Sequence, residues 1–139
     1  MLYVGAKLNS TWLIENLGEG RKVKVLVDQY VSPTLNTNLA QMLIEIAERR
    51  VCGTLHTAGA SRVSRYEFAK MLVDICDLNS DLIEPAKMNE IQWKAKRPKD
   101  SSLDVSLCSS ILKESKPMRL EEAIEAMMLE RRHKKSVKG

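Results

Sequence analysis

Apolar positions along the chain recur at two spacings, and the switches between them divide it into helices and strands. Leu120, Ala123, Ile124, Met127 and Met128 fall at i, i+3, i+4, i+7 and i+8, which is one stripe of an α-helix over Arg119–Arg132. Leu39, Met42, Leu43 and Ile46 make a second stripe, with charges opposite, and predict a helix over Asn38–Arg50. A third helix announces its own start: Ser64 is followed three residues later by Glu67, the pattern of a reciprocal capping box. Phe68, Leu72, Ile75 and Cys76 are its apolar face. Trp12–Leu17 and Ser106–Glu114 read as shorter helices, the first ended by Gly18 and Gly20.

Three segments read as extended. Lys22–Val27 alternates charged with β-branched residues, so one face is wet. Thr54–Ala58 reads as a short buried strand ending at Gly59, and Leu82–Pro85 as a short extended piece. Asp28–Asn36 and Asn89–Asp104 are irregular. The layout is α/β, or α+β-like, with mostly helices and a few short strands.

The chain has 139 residues, 44% hydrophobic and 29% charged, the profile of a globular domain with a real core. No apolar run approaches the roughly 18–20 residues of a membrane span. The N-terminus lacks the basic-then-apolar order of a signal peptide, which places the protein in the cytoplasm. The net charge of +4 is concentrated in the last residues: Arg131, Arg132, Lys134, Lys135 and Lys138. The body before them is close to neutral. Residues 1–130 read as one domain and 131–139 as a basic flexible tail, a solvated terminus rather than a nucleic-acid arm.

Candidate chemistry is sparse. Cys52, Cys76 and Cys108 are odd in number and widely spaced, so a disulfide framework or zinc site is not expected. His56, in the Thr54–Ala58 strand, has no second ligand at metal spacing and reads as a packed histidine. None of the six glycines forms G-x-G-x-x-G or a Walker pattern, so no dinucleotide loop is expected. Tyr3 and Lys7 match Y-x-x-x-K, in which an ammonium one helical turn away would lower a phenol pKa. Gly5 between them makes a helix there improbable, and no catalytic role is assigned to the pair.

Three stretches taken together carry a resemblance. Val27-Asp28-Gln29-Tyr30-Val31-Ser32-Pro33-Thr34, followed by Asn38-Leu39-Ala40, resembles the D-Q-x-x-S-P-T segment of dTDP-4-dehydrorhamnose reductases. Gly53-Thr54-Leu55-His56-Thr57-Ala58-Gly59, followed by Ser64-Arg65-Tyr66-Glu67-Phe68-Ala69, is similar to that family's G-x-x-H-x-x-G and S-x-x-E-F-A pieces. Arg97-Pro98-Lys99-Asp100-Ser101-Ser102-Leu103 resembles its R-P-x-x-S-x-L segment. Leu2-Tyr3-Val4-Gly5, with Asn9 soon after, resembles the strand end and N-F segment that follow the family's catalytic Tyr and Lys. Asn9 is followed by Ser10 instead of Phe.

The resemblance implies the C-terminal, substrate-binding portion of a Rossmann-type extended short-chain dehydrogenase. The NAD(P)-binding domain and the catalytic Tyr/Lys would lie outside this chain. No cofactor is expected in the chain itself; NAD(P)H is implied for the full-length family. The implied substrate is a dTDP-sugar of dTDP-L-rhamnose biosynthesis. The chain alone is then inactive as a reductase, with a homodimer or a separate Rossmann-domain chain as partner and no membrane or nucleic acid.

Carried residue by residue, Arg97 is the expected diphosphate ligand, since a guanidinium offers forked donors to phosphate. Asp100 would orient Arg97 or meet the ribose, and Asn9 would donate to the same diphosphate. Gln29, Pro33 and Thr34 would shape the loop facing the sugar. The plainer accounts are a surface arginine before a proline, and a rigid turn from strand to helix. Arg62 and Arg65 would add positive charge near the pocket or, on the plainer account, stand as solvated surface cations. A rival class is a regulatory or interaction module that kept the fold and lost the chemistry.

Overall fold

The computed structural model describes residues 2–3, 10–93 and 95–136. In chain order the elements are β1 (Leu2–Tyr3), α1 (Ser10–Gly18), β2 (Val23–Leu26), β3 (Tyr30–Val31), α2 (Asn36–Glu48), β4 (Val63–Ser64), α3 (Arg65–Cys76), β5 (Ile83–Ala86), α4 (Ser106–Ile111) and α5 (Leu120–Ser136). Short 3-10 turns at Ser80–Leu82 and Met88–Glu90 flank β5. The chain divides into two units, Met1–Val31 with Val63–Ser101, and Ser32–Arg62 with Ser102–Gly139.

The first unit is built on β2. It is flanked by β1 and β5 in a three-stranded parallel sheet, with Val23 opposite Ile83 and Leu26 opposite Ala86. Val23 and Val25 face one side and are fully buried, as the alternation predicts. Leu26, on the other face, is buried too, so the sheet is covered on both sides at that end. Lys24 keeps partial exposure, and Lys22 reaches Glu84 at 3.2 Å. Helices α1 and α3 pack on the sheet and contribute Leu13, Leu17, Phe68, Ala69, Leu72 and Val73 to its core.

Helix α3 starts where the sequence says. Ser64 Oγ accepts from Glu67 N at 3.1 Å, and Glu67 Oε2 accepts from Ser64 N at 2.6 Å. Two of the donors orphaned at a helix start are thereby satisfied. Its last turn closes with Asp77 in the left-handed region, φ 52°.

The second unit holds its own core: Met42, Ala58, Val105, Cys108 and Leu112, with Leu39, Leu55, Ile46 and Ile111 packed against it. Leu120, Ala123 and Ile124 of α5 are also buried, which is the predicted stripe. The helix continues to Ser136, so the basic segment after residue 130 begins as helix.

Two sequence expectations fail here. Leu39, Met42 and Ile46 of the expected α2 stripe pack on the core, but Leu43 stands 50% exposed, and Asn38 and Glu45 are buried beside Met42. The reason is a polar task. Asn38 Nδ2 donates to Lys116 O at 3.0 Å, and Asn38 Oδ1 accepts from Met118 N at 3.3 Å. Glu45 accepts from the amides of Lys113, Glu114 and Ser115 at 2.7, 3.2 and 2.7 Å. The buried polar groups of α2 therefore satisfy the backbone linking α4 to α5.

Thr54–Ala58 is not a strand. Its burial does alternate, with Thr54 and His56 exposed and Leu55 on the core, but no ladder pairs it. The amides just beyond it are met singly by loops: Gly59 N by Thr34 Oγ1 at 3.0 Å and Ala60 N by Met118 O at 2.8 Å.

Candidate functional site

In the first unit the chain leaves the sheet at Asp28, whose Oδ1 accepts from Met88 N at 2.9 Å. Gln29 follows, and it is 4% exposed. Its side chain joins two segments far apart in sequence. Oε1 accepts from Arg65 Nε at 2.6 Å, and Nε2 donates to Pro98 O at 3.1 Å. The amide orientation is dictated by chemistry, since an arginine Nε can only donate and a peptide carbonyl can only accept. The backbone repeats the connection: Gln29 O accepts from Arg65 N at 3.0 Å.

Strand β3 continues the same joint. It pairs antiparallel with β4, Tyr30 opposite Ser64. Tyr30 also bridges Asp100, accepting Ser101 N at 3.0 Å and donating to Lys99 O at 2.8 Å. The Arg97–Ser101 segment, expected as a free loop, is therefore fastened through Pro98, Lys99 and Ser101. Arg97 and Asp100 both stand exposed on it.

Arg65 corrects the reading as a solvated surface cation. It is half-buried at the first turn of α3, with Nε tied to Gln29. Burial, and secondly the Arg97 guanidinium, hold its pKa below the ordinary arginine value. The ion pairs Arg21–Glu19, Lys22–Glu84 and Arg49–Glu45 take in neither Arg65 nor Arg97. Arg65 carries no periodic signal along the chain, because its partner lies 36 positions earlier.

Pro33 and Thr34 belong to the second unit. Thr34 Oγ1 donates to Ser32 O at 3.0 Å and accepts from Gly59 N at 3.0 Å. Its hydroxyl is thus engaged in turn architecture. Asn9, and the side chains of Tyr3 and Lys7, lie outside the described residues; the backbone of Tyr3 is in β1. His56 is exposed instead of packed, with Nδ1 3.3 Å from Asp104 O. Among the described residues no three His, Cys, Asp or Glu side chains gather as a metal site, and no helix is long and apolar enough to cross a membrane.

Residues 2–132 match the family of the RmlD substrate binding domain. The chain belongs to that family. Among related proteins, the probable low-salt glycan biosynthesis reductase Agl14 of Haloferax volcanii is 31% identical over 116 residues, 84% of this chain and 38% of that protein. Among solved structures, the dTDP-4-dehydrorhamnose reductase of Bacillus anthracis, in complex with NADP, superposes with a TM-score of 0.79 at 23% identity, covering 93% of this chain and 45% of that one. A hypothetical dTDP-4-dehydrorhamnose reductase from Sulfolobus tokodaii gives 0.69 at 32% identity, covering 86% and 42%. The fold is therefore that of part of a Rossmann-type extended short-chain dehydrogenase. This RmlD-type chain spans about two fifths of the relatives it matches.

Among the described residues, the turns after β2 and β5 are not glycine turns of the kind that hold a dinucleotide. Strands β2 and β5 run on into Val27–Asp28 and Lys87–Met88 instead of a glycine turn that brings backbone amides against a pyrophosphate. Gly59 is packed on Pro33, and Gly18, Gly20 and Gly53 lie at a helix end or in loops.

Proposed function

We propose that this chain binds the nucleotide diphosphate of a dTDP-sugar, as the substrate-binding part of a dTDP-4-dehydrorhamnose reductase-like protein of dTDP-L-rhamnose biosynthesis. The observation that carries the reading is the fastening of the Arg97 segment. Gln29 and Tyr30 hold the backbone that follows Arg97, at Pro98, Lys99 and Ser101, so an exposed guanidinium is offered next to a fixed base. A pre-positioned forked cation suits a diphosphate, because little ordering entropy is lost on binding. Asp100 lies three residues further on the same fastened segment, within reach of a ribose hydroxyl in this reading. By family resemblance, Asn9 would donate to the same diphosphate, and Pro33 and Thr34 would shape the loop facing the sugar.

The chain supplies binding and orientation. Reduction of a 4-keto sugar needs a hydride donor, and the reading places the nicotinamide dinucleotide on a Rossmann part outside these residues, in the same or a separate chain, in the cytoplasm. NADPH oxidation with dTDP-4-dehydrorhamnose should therefore stay at background with this chain alone. Calorimetric titration tests the binding claim. dTDP should bind and thymidine should not at the same concentrations. Equal heats for the two would remove the diphosphate from the account.

A further inference from the structure

Arg65 and Arg97 come from different segments, yet one buried side chain connects them. Gln29 takes the Nε proton of Arg65 on one end and holds the carbonyl of Pro98, the neighbour of Arg97, on the other. Using Nε in this way leaves the terminal Nη groups of Arg65 for another acceptor. Burial removes water that would otherwise screen the charge. The ion pairs Arg21–Glu19, Lys22–Glu84 and Arg49–Glu45 neutralise neither guanidinium. Arg97 acts on Arg65 as a like charge, a repulsion that an anion bound to both would relieve.

We propose that Arg65 is a second cationic anchor beside Arg97, that Gln29 is the positioning residue for both, and that the pair receives a diphosphate. The proposal rests on the nucleotide-diphosphate reading and adds to it a ligand-binding residue on α3. Diphosphate fits better than a single carboxylate, because its oxygens span two forks and its charge matches two cations. Glu67, the acid nearest in sequence, is turned onto Ser64 N by the capping box and serves the helix start. Gln29 also supplies a neutral acceptor where a carboxylate would cancel the charge of Arg65.

The test uses the intact chain with inorganic pyrophosphate, dTDP and thymidine as probes. Titration is followed by calorimetry and by the arginine Nε resonances. Pyrophosphate should shift the signals of both Arg65 and Arg97. Arg65→Met should weaken pyrophosphate and dTDP binding by about tenfold or more, and Arg65→Lys should recover part of it. The wild-type resonances decide the matter if Arg65→Met fails to fold. dTDP binding that leaves the Arg65 resonance unmoved overturns the second anchor and keeps the nucleotide reading. Pyrophosphate binding through Arg65, with dTDP no tighter, keeps the anchor and overturns the nucleotide reading. No binding of either probe overturns both.

Discussion

The carbonyl oxygen of Pro33 occupies the space beside Gly59 where a side chain would begin: a β-carbon there would lie 1.9 Å from it. The contact is backbone against backbone, so no rotamer change relieves it. The Gly59 amide also donates to Thr34 Oγ1, so the two loops are joined at adjacent atoms. Gly59→Ala should destabilise the protein by about 3 kcal/mol, the upper end for overpacking. Urea denaturation measures it. A loss under about 0.5 kcal/mol, the size of an ordinary surface change, would mean the loops part freely.

Glu45 should make stability sensitive to acid. The Lys113 amide is the largest influence on its carboxyl; burial opposes it, and the Ser115 and Glu114 amides and Arg49 add to it, leaving the pKa below the ordinary value of 4.5. A group whose pKa is depressed by folding contributes stability above its unfolded pKa and loses it as pH falls through the folded one. Glu45→Gln, which cannot accept as an anion, should therefore lower Tm near neutrality. The gap from wild type should narrow progressively below about pH 4.5. Melting curves across pH check this, and a gap independent of pH would contradict the assignment.

The Ser64 cap predicts a smaller effect. Ser64→Ala removes the acceptor for Glu67 N and should cost about 1 kcal/mol. Ser64→Asp, which keeps an acceptor, should recover most of it. Chemical denaturation of both variants reads the difference.

The elements whose signals are local were legible in the sequence. The capping box at Ser64 and the stripe from Leu120 to Ile124 depend on neighbours within one or two turns. What was not legible depends on distant partners. Glu45 looks like a solvent-facing charge until the amides of 113–115 are brought to it. Thr54–Ala58 has a strand's alternation, but alternation says nothing of whether a partner strand is present. The two-residue strands β3 and β4 are too short to carry a period. At the candidate site, Gln29 and Arg97 were found through family motifs, and their joining through Pro98 came only with the fold. For Arg65, surface solvation was the plainer account, because a lone arginine after a helix cap is usually solvated.

Whether Arg97 meets a diphosphate is tested by titrating dTDP into wild-type and Arg97→Ala protein. A charge-assisted bond to phosphate is worth roughly 1.5–3 kcal/mol, so the variant should bind about tenfold or more weakly, with its melting temperature unchanged. Arg97→Lys should recover only part, because the fork is gone. Equal dTDP affinity for wild type and Arg97→Ala would contradict the account.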